Sequence, residues 1–296
     1  MRMIISVVFL LFFLSLKTQT FGSESIPIDT TINLSDDEFA ELEKKLESED
    51  PTFRFTFLRD NDISFFIKAQ KKRPESFIWI DMINMHFASE RYNARQLENE
   101  DEKRLLFENA LKYLSESLET FENVSLPNDN DSINKVHKIY LLTLKEKIAF
   151  AALSAGNLDL AKQSAQDMLA NNTDSELFNY GITENQAKTL LGCVALREKD
   201  IPRAKEYLLK SVEDLEGSDL SFFGPSFILA KELLEYGEKD IILIFLDNVA
   251  NIWANPETTK PSDTRKMAAN QRKIDMLEKW KEEIRSGQIP DDPMWQ

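Results

Sequence analysis

Apolar residues recur at three- and four-residue spacing along most of the chain, the period of helices that bury one face. The clearest stretch runs from Asn185 to Val212. Leu190, Leu191, Val194 and Leu196 form one apolar stripe, Lys199-Asp200 interrupts it, and Ala204, Tyr207, Leu208 and Ser211 form a second. Thr183, with Gln186 three places on, predicts the cap of the first helix. Pro202 falls in the first turn of the second helix, where a missing N–H leaves no bond unmade. Gly192, Ala195 and Ala204 are short, and helices approach closely only where side chains are short. The stretch therefore predicts two helices folded back on each other.

The same design flanks it on both sides. Ile148-Ala149, Ala152, Ala161, Ala165 and Met168 occupy the same relative places upstream, with Ala161 43 residues before Ala204. Leu229-Ala230, Leu233, Ile242, Leu246 and Val249 do so downstream, with Ile242 38 residues after Ala204. Gly156-Asn157, Lys199-Asp200 and Gly237-Glu238 supply the matching turns. Three hairpins in register predict a helical array; an irregular bundle with accidental alanine spacing is the alternative.

These residues, from Leu191-Gly192 and Ala195 through Ala204, Leu208 and Ser211, resemble the tetratricopeptide repeat. Both offsets exceed the repeat's own length of about 34 residues, so the linkers are longer than usual. The resemblance implies an all-α fold, a right-handed superhelical array of antiparallel helix hairpins. A closer likeness lies in Leu191-Gly192-Cys193-Val194-Ala195-Leu196-Arg197 and in Gly217-Ser218, Ser221-Phe222-Phe223-Gly224-Pro225, Leu229–Leu234, Gly237-Glu238 and Ile252-Trp253. This order is similar to uncharacterised bacterial proteins with divergent tetratricopeptide-like repeats and a Phe-Gly-Pro turn. It covers roughly Leu141 to Pro290 and implies a bacterial source, but no activity.

The remaining chain divides around that array. Residues 1–22 carry Arg2, an apolar run Ile4–Leu16 and a polar end, the form of a secretory signal peptide; an uncleaved N-terminal anchor is the competing reading. Residues 23–131 form an N-terminal helical region. There Ser35 opens a capping box with Glu38, Pro51 ends that helix, and Asp62–Lys72 and Glu75–Asn93 read as helices parted by Pro74. Phe53–Phe57 alternates apolar and polar and fits a strand, a linker, or a helix rescued by tertiary contacts. Lys103–Phe121 is amphipathic and pairs with Glu75–Asn93 as a longer-armed hairpin. Residues 132–255 are the repeats. Residues 256–296 add a capping helix over Asp263–Gly287, needed to cover the apolar face of the last repeat, and an irregular tail.

Composition narrows function by exclusion. The charge is −15 overall, and without Arg2 and Lys17 it is −17, a field that repels nucleic acid and anionic membranes. With 42% apolar residues and 20 Phe the chain still builds a core. The single Cys193 allows no internal disulfide. Asp129 and Asp131 suggest calcium, but Ile133 and Asn134 stand where an EF-hand loop needs an acid and a glycine, so the segment reads as a loop and helix cap. His86 and His137 fall among apolar residues, and neither metal-ligand, phosphate-loop nor nucleophile-elbow motifs occur. No cofactor, metal or catalytic residue is assigned.

A concave face lined by the first helix of each hairpin would carry Glu146, Phe150, Thr189, Arg197, Phe227 and Lys231. Phe150 and Phe227 would grip an apolar side chain, and Arg197 and Lys231 a carboxylate; alternatively both rings are core and both cations pair with acids. The expectation is an exported protein, periplasmic or secreted, that binds a peptide or protein partner as scaffold or adaptor. The alternative is an enzyme or accessory subunit with a pocket in the Phe-rich N-terminal region.

Overall fold

The computed structural model describes residues 34–48, 51–125, 130–177, 179–213, 224–254, 264–292 and 295, with side chains from 268 onward in the last helix. Among these residues the fold is all-α, with twelve helices and no strand. They are α1 (Asp36–Glu47), α2 (Pro51–Asp60), α3 (Ile63–Lys72), α4 (Phe77–Ala94), α5 (Glu100–Glu122), α6 (Asp131–Ser154), α7 (Leu158–Asn171), α8 (Tyr180–Arg197), α9 (Ile201–Lys210), α10 (Ile228–Glu235), α11 (Lys239–Ala254) and α12 (Thr264–Arg285). Residues 1–22, read as a signal peptide, and Gly217–Phe223 lie outside the described residues. No described helix is long and apolar enough to cross a membrane.

Local chemistry explains most boundaries. Ser35 Oγ accepts the N–H of Glu38 at 3.3 Å while the Glu38 carboxylate accepts the N–H of Ser35 at 2.8 Å, the reciprocal capping box read from the sequence. Asn130 caps α6 by accepting from the N–H of Ile133, while residues 126–129 of the acidic loop lie outside the described residues. Pro51 opens α2 at its first position instead of merely closing α1. The Phe53–Phe57 run is helical: Phe57 meets Phe65 at 5.6 Å and Phe66 at 6.1 Å, and these contacts override the alternating pattern. Thr183 is not the cap of α8. Asp174 and Leu177 already accept turn bonds from the N–H groups of Leu177 and Tyr180, so α8 starts earlier, and Thr183 lies buried within it.

The turns joining α6 to α7, α8 to α9 and α10 to α11 share one geometry. Gly156, Lys199 and Gly237 have φ of 80°, 64° and 87°. The next N–H in each case reaches five residues back: Asn157 to Ala152 at 2.8 Å, Asp200 to Ala195 at 2.9 Å, Glu238 to Leu233 at 3.0 Å. This is the Schellman closure, which satisfies the last carbonyls of a helix and reverses the chain. Glycine enters the left-handed region freely; Lys199 does so at a cost of about 1 kcal/mol.

Packing follows the small-residue register. Ala161, Ala165 and Met168 in α7, Ala204 and Leu208 in α9 with Ser211 at its C-cap, and Ile242, Leu246 and Val249 in α11 are all fully buried. Ala110, Leu114 and Ser117 in α5 stand at the same four-then-three spacing and are buried too, so α4 and α5 join the pattern. First helices touch first helices, α4 to α6, α6 to α8 and α8 to α10, while α5, α7 and α9 each touch the following first helix. Ion pairs tie successive pairs together, Lys162 to Glu198 at 3.2 Å and Lys205 to Glu238 at 2.6 Å.

Two apolar cores share α6. Leu144, Ile148 and Ala151 face the N-terminal core of α1–α5, and Leu142, Ala149, Ala152 and Leu153 face the core of α7–α12. At the far end α12 lies on α11, burying Leu277, Trp280 and Ile284. The tail, read as irregular, ends on a buried anchor: Trp295 is 1% exposed, with its ring 5.5 Å from both Phe227 and Trp280.

Candidate functional site

The six residues read as a binding face do not form one open surface. Phe227 is 2% exposed, 5.7 Å from Phe245 and 5.4 Å from Trp280, and belongs to the core. Thr189 is buried, and its hydroxyl has no hydrogen-bond partner. Arg197 is engaged: Nη1 and Nη2 donate to the two carboxylate oxygens of Glu232 at 2.7 and 2.8 Å. Lys231 is half-buried. Glu146 and Phe150 stand apart from these, near the joint between α6 and α4.

That joint gathers half-buried charge, and α4 explains why. Ile78, Trp79, Ile80, Met82, Ile83 and Phe87 are buried, so the helix is apolar on most sides. One stripe breaks this: Phe77, Asp81, Asn84, Ala88, Arg91 and Arg95, at alternating four- and three-residue steps that keep them on one face. Phe77 stacks on Tyr140 of α6 with centroids 5.1 Å apart and rings 16° from parallel. The Tyr140 hydroxyl donates to Asp81 Oδ1 at 2.8 Å. Burial pushes the Asp81 carboxyl up from 3.8 to about 6, although the Tyr140 hydrogen bond and the charges of Arg54 and Lys147 hold it down. Burial and the adjacent carboxylate likewise push the Tyr140 phenol up. Asn84 Oδ1 is buried without a hydrogen-bond partner.

Further along the stripe, the Arg91 guanidinium lies 3.7 Å from the centroid of Phe150. Phe150 is held edge-on by Phe87 at 6.3 Å and Phe107 at 5.9 Å, so the ring under the cation is fixed. Burial lowers the Arg91 pKa, Glu146 pulls it back up and Arg95 lowers it again. The carboxylate of Glu146 sits 3.5 Å from Lys147 Nζ. Arg54 and Lys147 thus act on Asp81, Glu146 on Arg91 and Lys147, and Arg95 on Arg91, in a chain of charge −15. Sequence reasoning kept Glu146 and Phe150 but missed Arg91; the polar stripe within an apolar helix is the signal that could have found it.

Other clusters are structural in form. His86 Nε2 lies 3.4 Å from Glu90 Oε1, and the Tyr113 hydroxyl donates to Glu90 Oε2, with the Tyr113 phenol pushed up by burial and that carboxylate. His137 faces the Phe121 carbonyl at 3.0 Å with its ring against Phe121. Lys281 pairs with Asp247 and Glu278. Burial raises the Cys193 thiol well above its usual range, leaving it a poor nucleophile. Among the described residues no three His, Cys, Asp or Glu side chains are grouped to hold a metal. A shallow hollow between α9 and α11, edged by Glu206, Leu209, Val212 and Asn251, is remote in sequence from the α4–α6 joint. No family model, curated protein or solved structure matches the chain.

Proposed function

We propose that this chain is an exported, tetratricopeptide-like helical-repeat protein that binds a peptide or protein partner as a scaffold or adaptor. The helix pairs α4–α5, α6–α7, α8–α9 and α10–α11 form its superhelical array, with α12 as the cap. Stacked pairs of this kind curve and gather their first helices on one side, and α4, α6, α8 and α10 touch in that order. The observation that carries the reading is Arg91 over Phe150: a guanidinium 3.7 Å from a fixed ring, with no hydrogen bond to any described residue. A buried core does not keep such a cation, and a recognition surface does. The leader at residues 1–22 supports an address outside the cytoplasm, periplasmic or secreted.

Incubating the mature chain (residues 23–296) with an immobilised peptide library tests this. A discrete set of related peptides, bound at micromolar strength and recovered unchanged, supports the reading. Failure to retain any peptide contradicts it. Conversion of the peptides, lost in His86→Ala, would instead favour an enzyme, whose locus would be His86, Glu90 and Tyr113.

A further inference from the structure

We infer that Arg91 and Arg95, at the C-terminal end of α4, form a carboxylate-binding site whose floor is the Phe150 ring, and that its ligand is an acidic side chain or free C-terminus of a bound peptide. The inference rests on the partner-binding reading above and assigns that partner a chemistry.

Arg91 and Arg95 carry unmet hydrogen-bonding capacity. Arg59, Arg73, Arg104 and Arg197 lie 2.7–3.8 Å from carboxylates, while Arg54 and Arg272 donate to backbone carbonyls and Arg203 to the Tyr207 hydroxyl. Arg91 has no such partner among the described residues although burial lowers its pKa, and the more exposed Arg95 has none either. Glu146, the acid whose field reaches Arg91, has its own close contact with Lys147. It steadies the charge without occupying the guanidinium fork.

Geometry then selects the ligand. Stacking on Phe150 at 3.7 Å holds the cation against the ring, and its N–H groups make no hydrogen bond among the described residues. That planar fork matches two coplanar oxygens, the geometry of a carboxylate. Arg95 follows one helical turn later, on the same face, so a second donor stands beside the first. The Arg95 charge disfavours that of Arg91, and an anion placed between them relieves it. The overall charge of −15 disfavours a polyanion, whereas a single carboxylate meets the local excess of cations.

The test follows the arginine side-chain Nε–H resonances of the full mature chain by NMR. The probes are amidated Ac-Ala-Leu-Glu-Leu-Ala, its glutamine counterpart, the glutamine peptide with a free C-terminus, and inorganic phosphate. Saturable shifts of the Arg91 and Arg95 resonances with the glutamate peptide, the free-terminus peptide or both are expected, the responding probe showing which carboxylate is taken. The amidated glutamine peptide should leave both resonances in place. Arg91→Gln should weaken the response at Arg95 at least tenfold; Arg95→Gln, at an exposed position, gives the same reading if the first variant unfolds. Equal shifts with the amidated glutamine peptide, a response to phosphate alone, or no response to any probe overturn the proposal. Library peptides that bind both variants as tightly as the parent chain would also overturn it while leaving the scaffold reading intact. A library that yields no ligand removes the scaffold reading itself.

Discussion

Asn185 and Ser226, 41 residues apart, are joined by one buried side chain. The carboxamide oxygen of Asn185 accepts the Ser226 backbone N–H at 2.9 Å, while its Nδ2 donates to the Ser211 carbonyl at 2.9 Å. One residue of α8 thus closes the end of α9 and positions the approach to α10. Asn185→Ala would leave two backbone groups unmatched, each costing about 1–3 kcal/mol when buried. We expect a loss of about 3 kcal/mol in urea unfolding, and a change below about 0.5 kcal/mol would contradict the bridge.

Lys199 holds the left-handed position that Gly156 and Gly237 hold in the neighbouring turns. Lys199→Gly should therefore stabilise the chain by about 1 kcal/mol. Gly156→Ala and Gly237→Ala should each destabilise it by a similar amount, through the backbone alone, since an added Cβ meets nothing within 4 Å at either site. Thermal unfolding of the three variants checks the opposite signs.

Trp295 stands next to the last residue of the sequence, yet it is 1% exposed against Phe227 and Trp280. Trp295→Ala should cost about 3–5 kcal/mol. Its indole N–H has no partner, so Trp295→Phe should cost much less. Equal losses in the two variants would show that the ring is not packed as described.

Asp81 gives a pH signature with a definite sign. Its carboxyl is raised to about 6 in the fold and returns to an ordinary value near 4 on unfolding. Between those values the folded state binds the proton more tightly, so this residue's contribution is fullest below about pH 4 and is lost as pH rises through about 6. At pH 7 Asp81→Asn should be more stable than the parent by up to about 3 kcal/mol. The difference should shrink towards acid pH, and a gap that does not vary with pH in urea titrations would contradict the assignment.

The helix hairpins were legible because their determinants are local. The four-then-three spacing of Ala204, Leu208 and Ser211, and the turn at Lys199-Asp200, appear in the structure where the sequence places them. What could not be read is which side of a first helix stays open. Phe227 is enclosed by Trp280 and Trp295, more than 50 residues away, and Arg197 by Glu232, 35 residues away. Spacing within one helix carries no trace of either partner. Phe53–Phe57 left strand, linker and helix open for the same reason, since Phe65 and Phe66 decide its state. The α4 stripe was visible as residues, but its significance depends on Phe150 lying beneath Arg91.

The most direct test of the packing is a double-mutant cycle between Gly192 and Leu229, on first helices of successive pairs. A Cβ on Gly192 would lie 2.1 Å from Leu229 Cδ2 and 3.1 Å from Tyr207 Cβ. Gly192→Ala should therefore destabilise the chain despite the gain in helix propensity of about 1 kcal/mol. Combined with Leu229→Ala, it should cost at least about 1 kcal/mol less than the sum of the single changes. Additivity within about 0.5 kcal/mol, with Gly192→Ala alone raising stability, would mean that α8 and α10 do not meet as described.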